Sequence, residues 1–228
     1  MNVAAVLMEI LKSTGVRYLF GNPGTTELPF LDALPDSSLE YVLGLQEATA
    51  VAAADGYAQA SGQVGIVNVH VAPGLANSLS ILHNAARSKS PVVVTAGQQD
   101  TRFLMHEPIL AADLARMAEQ FTKWSHEVRR PEDAPVALRR ALKVALTPPT
   151  GPVFLSMPMD LMGPAVDDTG SAPPPVAAKS PPEPAAIPRA AELLAGAANP
   201  IVIAGAGVAR AGAMAERTAL AELLGRRV

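Results

Sequence analysis

The sequence predicts an α/β fold: an open six-stranded, mostly parallel sheet with helices on both faces, followed by an incomplete second α/β domain. Over residues 3–158, short β-branched runs alternate with longer alanine- and leucine-rich stretches, which is the pattern of βα units around a parallel sheet. Residues 163–188 are then rich in proline, which disfavours helix and favours an extended linker. Beyond them, one apolar run lies between two helical stretches, too few elements to bury their own apolar faces.

Each predicted strand is a short apolar run bounded by turn residues, and the six are residues 17–20, 40–43, 65–69, 91–96, 122–128 and 152–156. The helices between them have apolar residues at helical spacing, and they are residues 3–14, 26–34, 47–61, 75–88, 111–119 and 131–146. We therefore expect a sheet domain over residues 1–162, a proline-rich linker over 163–188, and the truncated start of a second domain over 189–228. In that last region we expect helices at 189–196 and 211–224, a buried strand at 201–204, and a turn at 225–228 entering a further strand.

Composition excludes several classes of function. The 228 residues carry a formal net charge of −3, which gives no general attraction to nucleic acid or to an anionic membrane surface. There is no cysteine, so disulfides, thiolate catalysis and cysteine-ligated zinc are excluded. Charged residues interrupt the first apolar run at helical spacing, which predicts an amphipathic helix and not a signal peptide. We expect a cytoplasmic protein with neither nucleic acid nor membrane as a partner.

Unusual residues follow three of the six predicted strands, and ligands of open parallel sheets collect at the carboxyl ends of strands. After the first strand, Gly21-Asn22-Pro23-Gly24-Thr25-Thr26 forms a turn whose glycines permit close backbone approach and whose threonines offer hydroxyl groups. Thr25 is thus a candidate for the rim of a pocket. An ordinary βα turn with a helix cap is the alternative explanation.

Glu47 follows the second strand and opens a helix with almost no polar side chain in its first two turns. Apolar surroundings favour the uncharged form of a carboxyl group, which suits a residue that transfers a proton near neutral pH. The alternative is a solvent-exposed glutamate that interacts favourably with the helix dipole.

His70 follows the third strand directly and precedes the glycine turn Val71-Ala72-Pro73-Gly74. A histidine there can act as acid or base, although a lone histidine is more often hydrogen-bonded structure. Sheet geometry brings Thr25, Glu47 and His70 to the same edge, and such convergence is what an active site requires.

The ensemble of motifs resembles the pyrimidine-binding domain of thiamine-diphosphate enzymes. The motifs are Phe20-Gly21-Asn22-Pro23-Gly24, Leu45-Gln46-Glu47-Ala48, Ala54-Asp55-Gly56-Tyr57-Ala58, and Pro73-Gly74 with Asn77. The stretches Thr95-Ala96-Gly97-Gln98-Gln99, Lys123-Trp124-Ser125 and Gly151-Pro152-Val153 are similar to the benzoylformate decarboxylase branch of the family. The resemblance is strong over residues 3–162 and loose beyond them.

The resemblance implies an amino-terminal portion of a 2-keto-acid decarboxylase whose cofactors are thiamine diphosphate and Mg²⁺. In the family, the glutamate matching Glu47 hydrogen-bonds N1′ of the aminopyrimidine and promotes deprotonation of the thiazolium C2. The histidine matching His70 protonates or orients intermediates, and a serine at the position of Thr25 contacts the substrate carboxylate. The residues implied to contact the cofactor are Glu47, Pro23, Gly24, Gly74 and Asn77.

Part of the family pattern is absent from these 228 residues. The family binds the diphosphate and its Mg²⁺ through a Gly-Asp-Gly motif in a carboxyl-terminal domain, so we expect the metal site outside this chain and little activity from this portion alone. The family's sites form between subunits, which implies a homodimer or homotetramer acting on a small 2-keto acid. An acetolactate-synthase-like carboligase and a non-catalytic docking domain are the alternatives.

Overall fold

A computed structural model describes residues 1–176 and 181–225, and the chain divides into two compact units, Met1–Val176 and Ala177–Val228. The strands of the first unit are β1 Tyr18–Asn22, β2 Glu40–Leu43, β3 Gly65–Val69, β4 Val92–Gln98, β5 Ser125–Glu127 and β6 Val153–Pro158. Its helices are α1 Val3–Ser13, α2 Leu28–Leu31, α3 Glu47–Ser61, α4 Val71–Ser88, α5 Leu114–Ala118 and α6 Asp133–Leu146.

The six strands form one sheet in the order β2-β1-β3-β4-β6-β5, and every neighbouring pair is parallel. Every residue of β3, β4 and β6 is buried, whereas β2 and β5 at the two edges are only partly covered. Near-continuous apolar strands of this kind require helices on both faces of the sheet. The predicted fold class is confirmed.

The helices divide between two apolar cores. One core packs α1 and α6 against one face of the sheet through side chains such as Leu7, Leu142 and Ile66. The other packs α3 and α4 against the opposite face through side chains such as Val51, Leu82 and Val67. This arrangement leaves the carboxyl edge of the sheet to carry the starts of α3 and α4.

Several predicted elements differ from the observed ones. The elements over residues 40–43, 47–61 and 65–69 agree with the prediction. The helix expected over residues 26–34 is instead a 3-10 turn, Thr25–Glu27, followed by the short α2. Helix α4 begins at Val71 rather than at residue 75, because Pro73 lies in its first turn, where a missing N–H costs no intrahelical hydrogen bond. The strand expected over residues 122–128 is only the edge strand Ser125–Glu127.

The first residues of the expected linker pack on the first unit. Val3 N donates to Pro164 O at 3.0 Å, and Val166 N donates to Met1 O at 2.9 Å. Arg139 makes a two-pronged ion pair with Asp168, at 2.6 and 2.8 Å. We call residues 163–171 the strap. Residues 177–180 of the expected linker lie outside the described residues, and the predicted domain boundaries stay a prediction.

The second unit contains α7 Ala186–Gly196, α8 Ala206–Arg210 and α9 Met214–Leu223. The prediction of a buried strand over residues 201–204 is wrong: these residues have no regular secondary structure, and Ile201 and Ile203 are 75% and 93% exposed. The described residues of this unit offer no neighbouring strand with which that run could form a hydrogen-bonded ladder. Helix α7 begins within the expected linker, and residues 226–228 of the expected final turn lie outside the described residues.

Within residues 1–176 and 181–225, no helix combines the length and the apolar character that crossing a bilayer requires.

Candidate active site

Three segments meet at the carboxyl edge of the sheet: the turn after β1, the start of α3 and the start of α4. The end of β1 and the turn after it are the common element. Asn22, the last residue of β1, contacts Glu47 of α3, and Gly24 and Glu27 of the turn contact His70 at the start of α4. The predicted convergence on one edge therefore holds for Glu47 and His70, each of which is joined to this element.

Glu47 is the first residue of α3 and is only 8% exposed. The Asn22 side-chain amide donates to Oε1 at 3.2 Å, and the Asn77 amide donates to Oε2 at 2.9 Å. The surroundings of the carboxyl oxygens are thus more polar than the apolar sequence of α3 suggests. One donor on each oxygen fixes the orientation of the carboxyl group and leaves lone pairs for a ligand.

Gly74 lets α4 approach Glu47 closely. A Cβ at this position would lie 3.3 Å from Val69 and 3.4 Å from Cγ of Glu47, which is closer than most side chains come. The close approach brings Asn77, one turn further along α4, within hydrogen-bonding distance of Glu47. A bulkier residue at position 74 would push the two helices apart at the site.

His70 is the residue that precedes α4, and its ring is 24% exposed. Its Nδ1 lies 2.7 Å from Glu27 Oε2 and 3.2 Å from Thr26 Oγ1. The turn lies directly on the ring, because a Cβ at Gly24 would be 2.3 Å from Nδ1. Only glycine therefore allows this contact between the turn and the histidine.

Glu27 is the residue that holds His70, and its side chain has no exposed surface. Its carboxylate accepts hydrogen bonds from Gly24 N at 2.8 Å, Gly97 N at 2.7 Å, Thr26 Oγ1 at 2.9 Å and Val71 N at 3.4 Å. The Thr26 hydroxyl donates to this carboxylate, so both the hydroxyl and the carboxylate are acceptors toward Nδ1 of His70. Nδ1 of His70 then carries a proton, and Nε2 is the nitrogen available to a ligand.

The sequence analysis missed Glu27 and Asn22. Glu27 accepts from the N–H of Gly24, three residues before it, as the glutamate of a capping box does. Glycine has no side chain to complete that motif, so the sequence carried no clear signal for Glu27. Asn22 is 25 residues from Glu47 in sequence, and no local pattern connects the two.

Thr25 is exposed at the start of the 3-10 turn, whereas the hydroxyl that contacts His70 belongs to its buried neighbour Thr26. The roles predicted for Thr25 toward substrate and for Pro23 toward cofactor stay predictions.

Other parts of the described chain carry less chemistry. A cleft of about 690 Å³ lies beside β4 and β5. Its most buried carboxylate, Glu127, already accepts hydrogen bonds from Gln98 and Ser156. Among residues 1–176 and 181–225, no three histidine or acidic side chains are grouped to hold a metal ion.

A comparison with protein families gives a match over the first half of the chain. The family described as thiamine pyrophosphate enzyme, N-terminal TPP binding domain, matches residues 1–118, which is more than half of the chain.

Two curated relatives and one solved structure show how far the similarity extends. The benzoylformate decarboxylase of Pseudomonas aeruginosa is 45% identical over 67% of this chain and 29% of its own length. A probable acetolactate synthase large subunit of Methanocaldococcus jannaschii is 34% identical over 98% of this chain and 39% of its own length. The crystal structure of benzoylformate decarboxylase from Polynucleobacter necessarius superposes with a TM-score of 0.92 at 37% identity, over 97% of this chain and 41% of that one. The chain therefore spans well under half the length of each of these proteins.

Proposed function

Because this chain belongs to the family of thiamine pyrophosphate enzymes, we propose that it supplies the pyrimidine-binding half of the active site of a 2-keto-acid decarboxylase. The observation that carries the proposal is the pair of held side chains at one sheet edge. Glu47 is oriented by two asparagine amides, and His70 is oriented by the buried Glu27. One group is prepared to exchange a proton with a cofactor, and the other with a substrate.

The residues at this edge fit the aminopyrimidine ring of thiamine diphosphate. The Glu47 carboxyl keeps lone pairs free beyond its bonds to Asn22 and Asn77, so it can share a proton with a ring nitrogen. Gly24 lets the turn lie against His70, and Gly74 lets α4 lie against Glu47, so the backbone of both segments comes close to the two side chains. Glu47, Pro23, Gly24, Gly74 and Asn77 are the residues we propose to hold the ring.

When bound, thiamine diphosphate supplies the nucleophilic carbon that attacks the keto group and the conjugated system that accepts the electrons released with carbon dioxide. Glu47 holds or releases a proton at the pyrimidine nitrogen. His70 presents Nε2 toward the substrate. The hydrogen bond from Nδ1 to Glu27 keeps the proton on Nδ1 and holds the ring in its orientation. The hydroxyl of Thr25, exposed on the same turn, is proposed to contact the substrate carboxylate.

We propose that the diphosphate and Mg²⁺ are bound by residues outside these 228, and that the working protein is a homodimer or homotetramer. Large apolar side chains next to the site support a covering subunit: Leu28 is 51% exposed, Leu43 60% and Leu45 92%. Apolar surface of this kind beside a ligand site is typical of an interface. A cytoplasmic location stays a prediction.

A second candidate is an acetolactate-synthase-like carboligase. The observation behind it is the Methanocaldococcus jannaschii relative, which is 34% identical over 98% of the chain, an extent matched by the 97% of the Polynucleobacter necessarius decarboxylase. Both activities would use Glu47 in the same way and would differ in what happens after carbon dioxide has left.

The test is a product analysis on the entire product of the gene, supplied with thiamine diphosphate and Mg²⁺. Conversion of benzoylformate to benzaldehyde and carbon dioxide supports the decarboxylase. Conversion of two pyruvate molecules to acetolactate and carbon dioxide supports the carboligase instead. Cofactor binding without turnover of any 2-keto acid would contradict both and leave a docking domain.

A further inference from the structure

A buried polar row crosses the sheet next to the site, on the face that packs against α1 and α6. Gly21 of β1 pairs with Asn68 of β3, and Asn68 pairs with Thr95 of β4. Asn68 and Thr95 are 0% and 2% exposed. Gly97, which donates to Glu27, lies on the same face two residues beyond Thr95. Gly97 therefore connects this row to the hydrogen bonds that hold Glu27.

The hydroxyl of Tyr41 lies over this row. A Cβ at Gly21 would be 2.3 Å from the Tyr41 hydroxyl oxygen and 2.3 Å from the backbone oxygen of Asn68, so only glycine leaves room for the phenol. Within the part of the chain that the structure describes, two inaccessible side-chain atoms here have no hydrogen-bond partner, the Tyr41 hydroxyl and Oδ1 of Asn68.

The surroundings of these two atoms decide which of them donates and which accepts a hydrogen bond. The Thr95 hydroxyl donates to Val67 O at 3.0 Å, so it accepts from Asn68 Nδ2 at 3.0 Å. Turning the Asn68 amide over would bring its oxygen against that accepting hydroxyl, so Oδ1 remains directed elsewhere as an acceptor. Burial, and secondarily the charge of Glu27, raise the pKa of Tyr41 well above its ordinary value, so its phenol is a donor.

We propose that Tyr41 and Asn68 bind one buried water molecule, and that Tyr41 is thereby a positioning residue for the Glu27–His70 pair. The water accepts from the Tyr41 hydroxyl and donates to Asn68 Oδ1, which gives each buried polar atom its partner. The row is joined to Glu27 through Gly97, whose N–H donates to the carboxylate, so loss of the Tyr41 hydroxyl and its water should shift that carboxylate against His70 Nδ1. The positioning role rests on the proposed function, whereas the water site does not.

The first test compares Tyr41→Phe with Tyr57→Phe in the 228-residue chain. The Tyr57 hydroxyl donates to Gln63 at 2.7 Å on an exposed surface, and its removal is a matched control. If Tyr41 holds a water, its phenylalanine variant should lower the ratio of folded to unfolded protein about fivefold in urea denaturation, and the control should change it less than about twofold. A Tyr41→Phe chain as stable as the wild type, or more stable, overturns the proposal, because removal of an unpartnered buried hydroxyl is neutral or stabilising.

The second test observes the water and the histidine directly, and it does not depend on the stability of a variant. A high-resolution crystal structure of the wild-type chain should contain a water within hydrogen-bonding distance of Tyr41 and Asn68. A structure with no water at this position overturns the water site.

The positioning role is tested by ¹⁵N NMR spectra of His70. The ring should be protonated on Nδ1 in the wild type and should be a mixture of the two tautomers in Tyr41→Phe. An unchanged tautomer in the variant overturns the positioning role. If the gene product proves inactive while the water is present, the proposed function fails and the water site stands.

Discussion

Two apolar runs of this chain, β3 Gly65–Val69 and residues 201–204, are alike in composition and opposite in outcome. Ile66 and Val67 of β3 have no exposed surface, because β1 and β4 pair with them on both sides and helices cover both faces. Ile203 of the second run is 93% exposed and unpaired. A β-branched run thus becomes a strand only where neighbours complete its ladder, and the chemistry of the molecule is found at the end of the run that has them.

The largest expected effect is on turnover, and it follows from substitution of Glu47 at the end of the sheet that carries the chemistry. Glu47→Gln keeps the shape of the side chain and removes its ability to take up a proton. In the entire gene product we expect turnover to fall by roughly 10² to 10⁴, the usual contribution of a positioned acid–base group. Exchange of the cofactor C2 proton, followed by NMR, should slow as well. The control is Glu192→Gln on the exposed surface of α7. Unchanged C2 exchange in Glu47→Gln would remove this residue from its proposed role.

The contrast in packing is tested by one substitution in each run. Ile66→Ala deletes a fully buried side chain and should lower the free energy of unfolding by about 2 to 5 kcal/mol. Ile203→Ala deletes a side chain that is 93% exposed and should change it by less than about 0.5 kcal/mol. Urea denaturation measures both. Equal losses in the two variants would mean that residues 201–204 are buried in solution and that the comparison fails.

Glycines give a third comparison between the units. Gly24→Ala would put a Cβ 2.3 Å from His70 Nδ1, so the turn or the ring must move, and stability should fall by about 1 to 3 kcal/mol. Gly196 lies at the end of α7 with open space around it, and Gly196→Ala should be neutral or stabilise by up to about 1 kcal/mol. Thermal denaturation checks the opposite signs. The ¹⁵N shifts of His70 should change only in the first variant.

Ion pairs should have the smallest effect on the free energy of unfolding. The dependence of that effect on pH should differ between the two units. In the strap, hydrogen bonds from Arg139 lower the pKa of Asp168 from its ordinary value of 3.8 to about 2. A lowered carboxyl pKa stabilises the fold above about pH 3.8, and this contribution disappears as the pH falls through about 2. Asp168→Asn should therefore cost about 1 to 2 kcal/mol at pH 6 and almost nothing once the pH is well below about 2.

The matched pair in the second unit is Arg189 with Glu192, whose side chains are 70% and 71% exposed. Glu192→Gln should show no pH-dependent loss, because water and salt screen an exposed pair. Stability measured by urea denaturation across this pH range decides the point. A loss in Asp168→Asn that is the same at every pH would show that the Arg139 ion pair is not its cause.

The sequence by itself determined the βα alternation and the edge at which the site lies. Period and composition are local properties, so α3 and β3 could be predicted to the residue. Parallel strands all end at one edge, so His70, directly after β3, and Glu47, four residues after the end of β2, could be brought together without coordinates. The motifs around them were sufficient to indicate the family.

Only the tertiary structure decided which groups support those two residues. Glu27 reaches His70 across 43 positions, and Asn22 reaches Glu47 across 25. The Tyr41 phenol lies over Gly21, although strand register pairs Tyr41 with Leu19 and Gly21 with Leu43. The same is true of residues 201–204, where the local pattern favours a strand and the described neighbours offer no ladder. Contacts of this kind depend on register, helix placement and close backbone approach, and local periodicity carries no information about any of them.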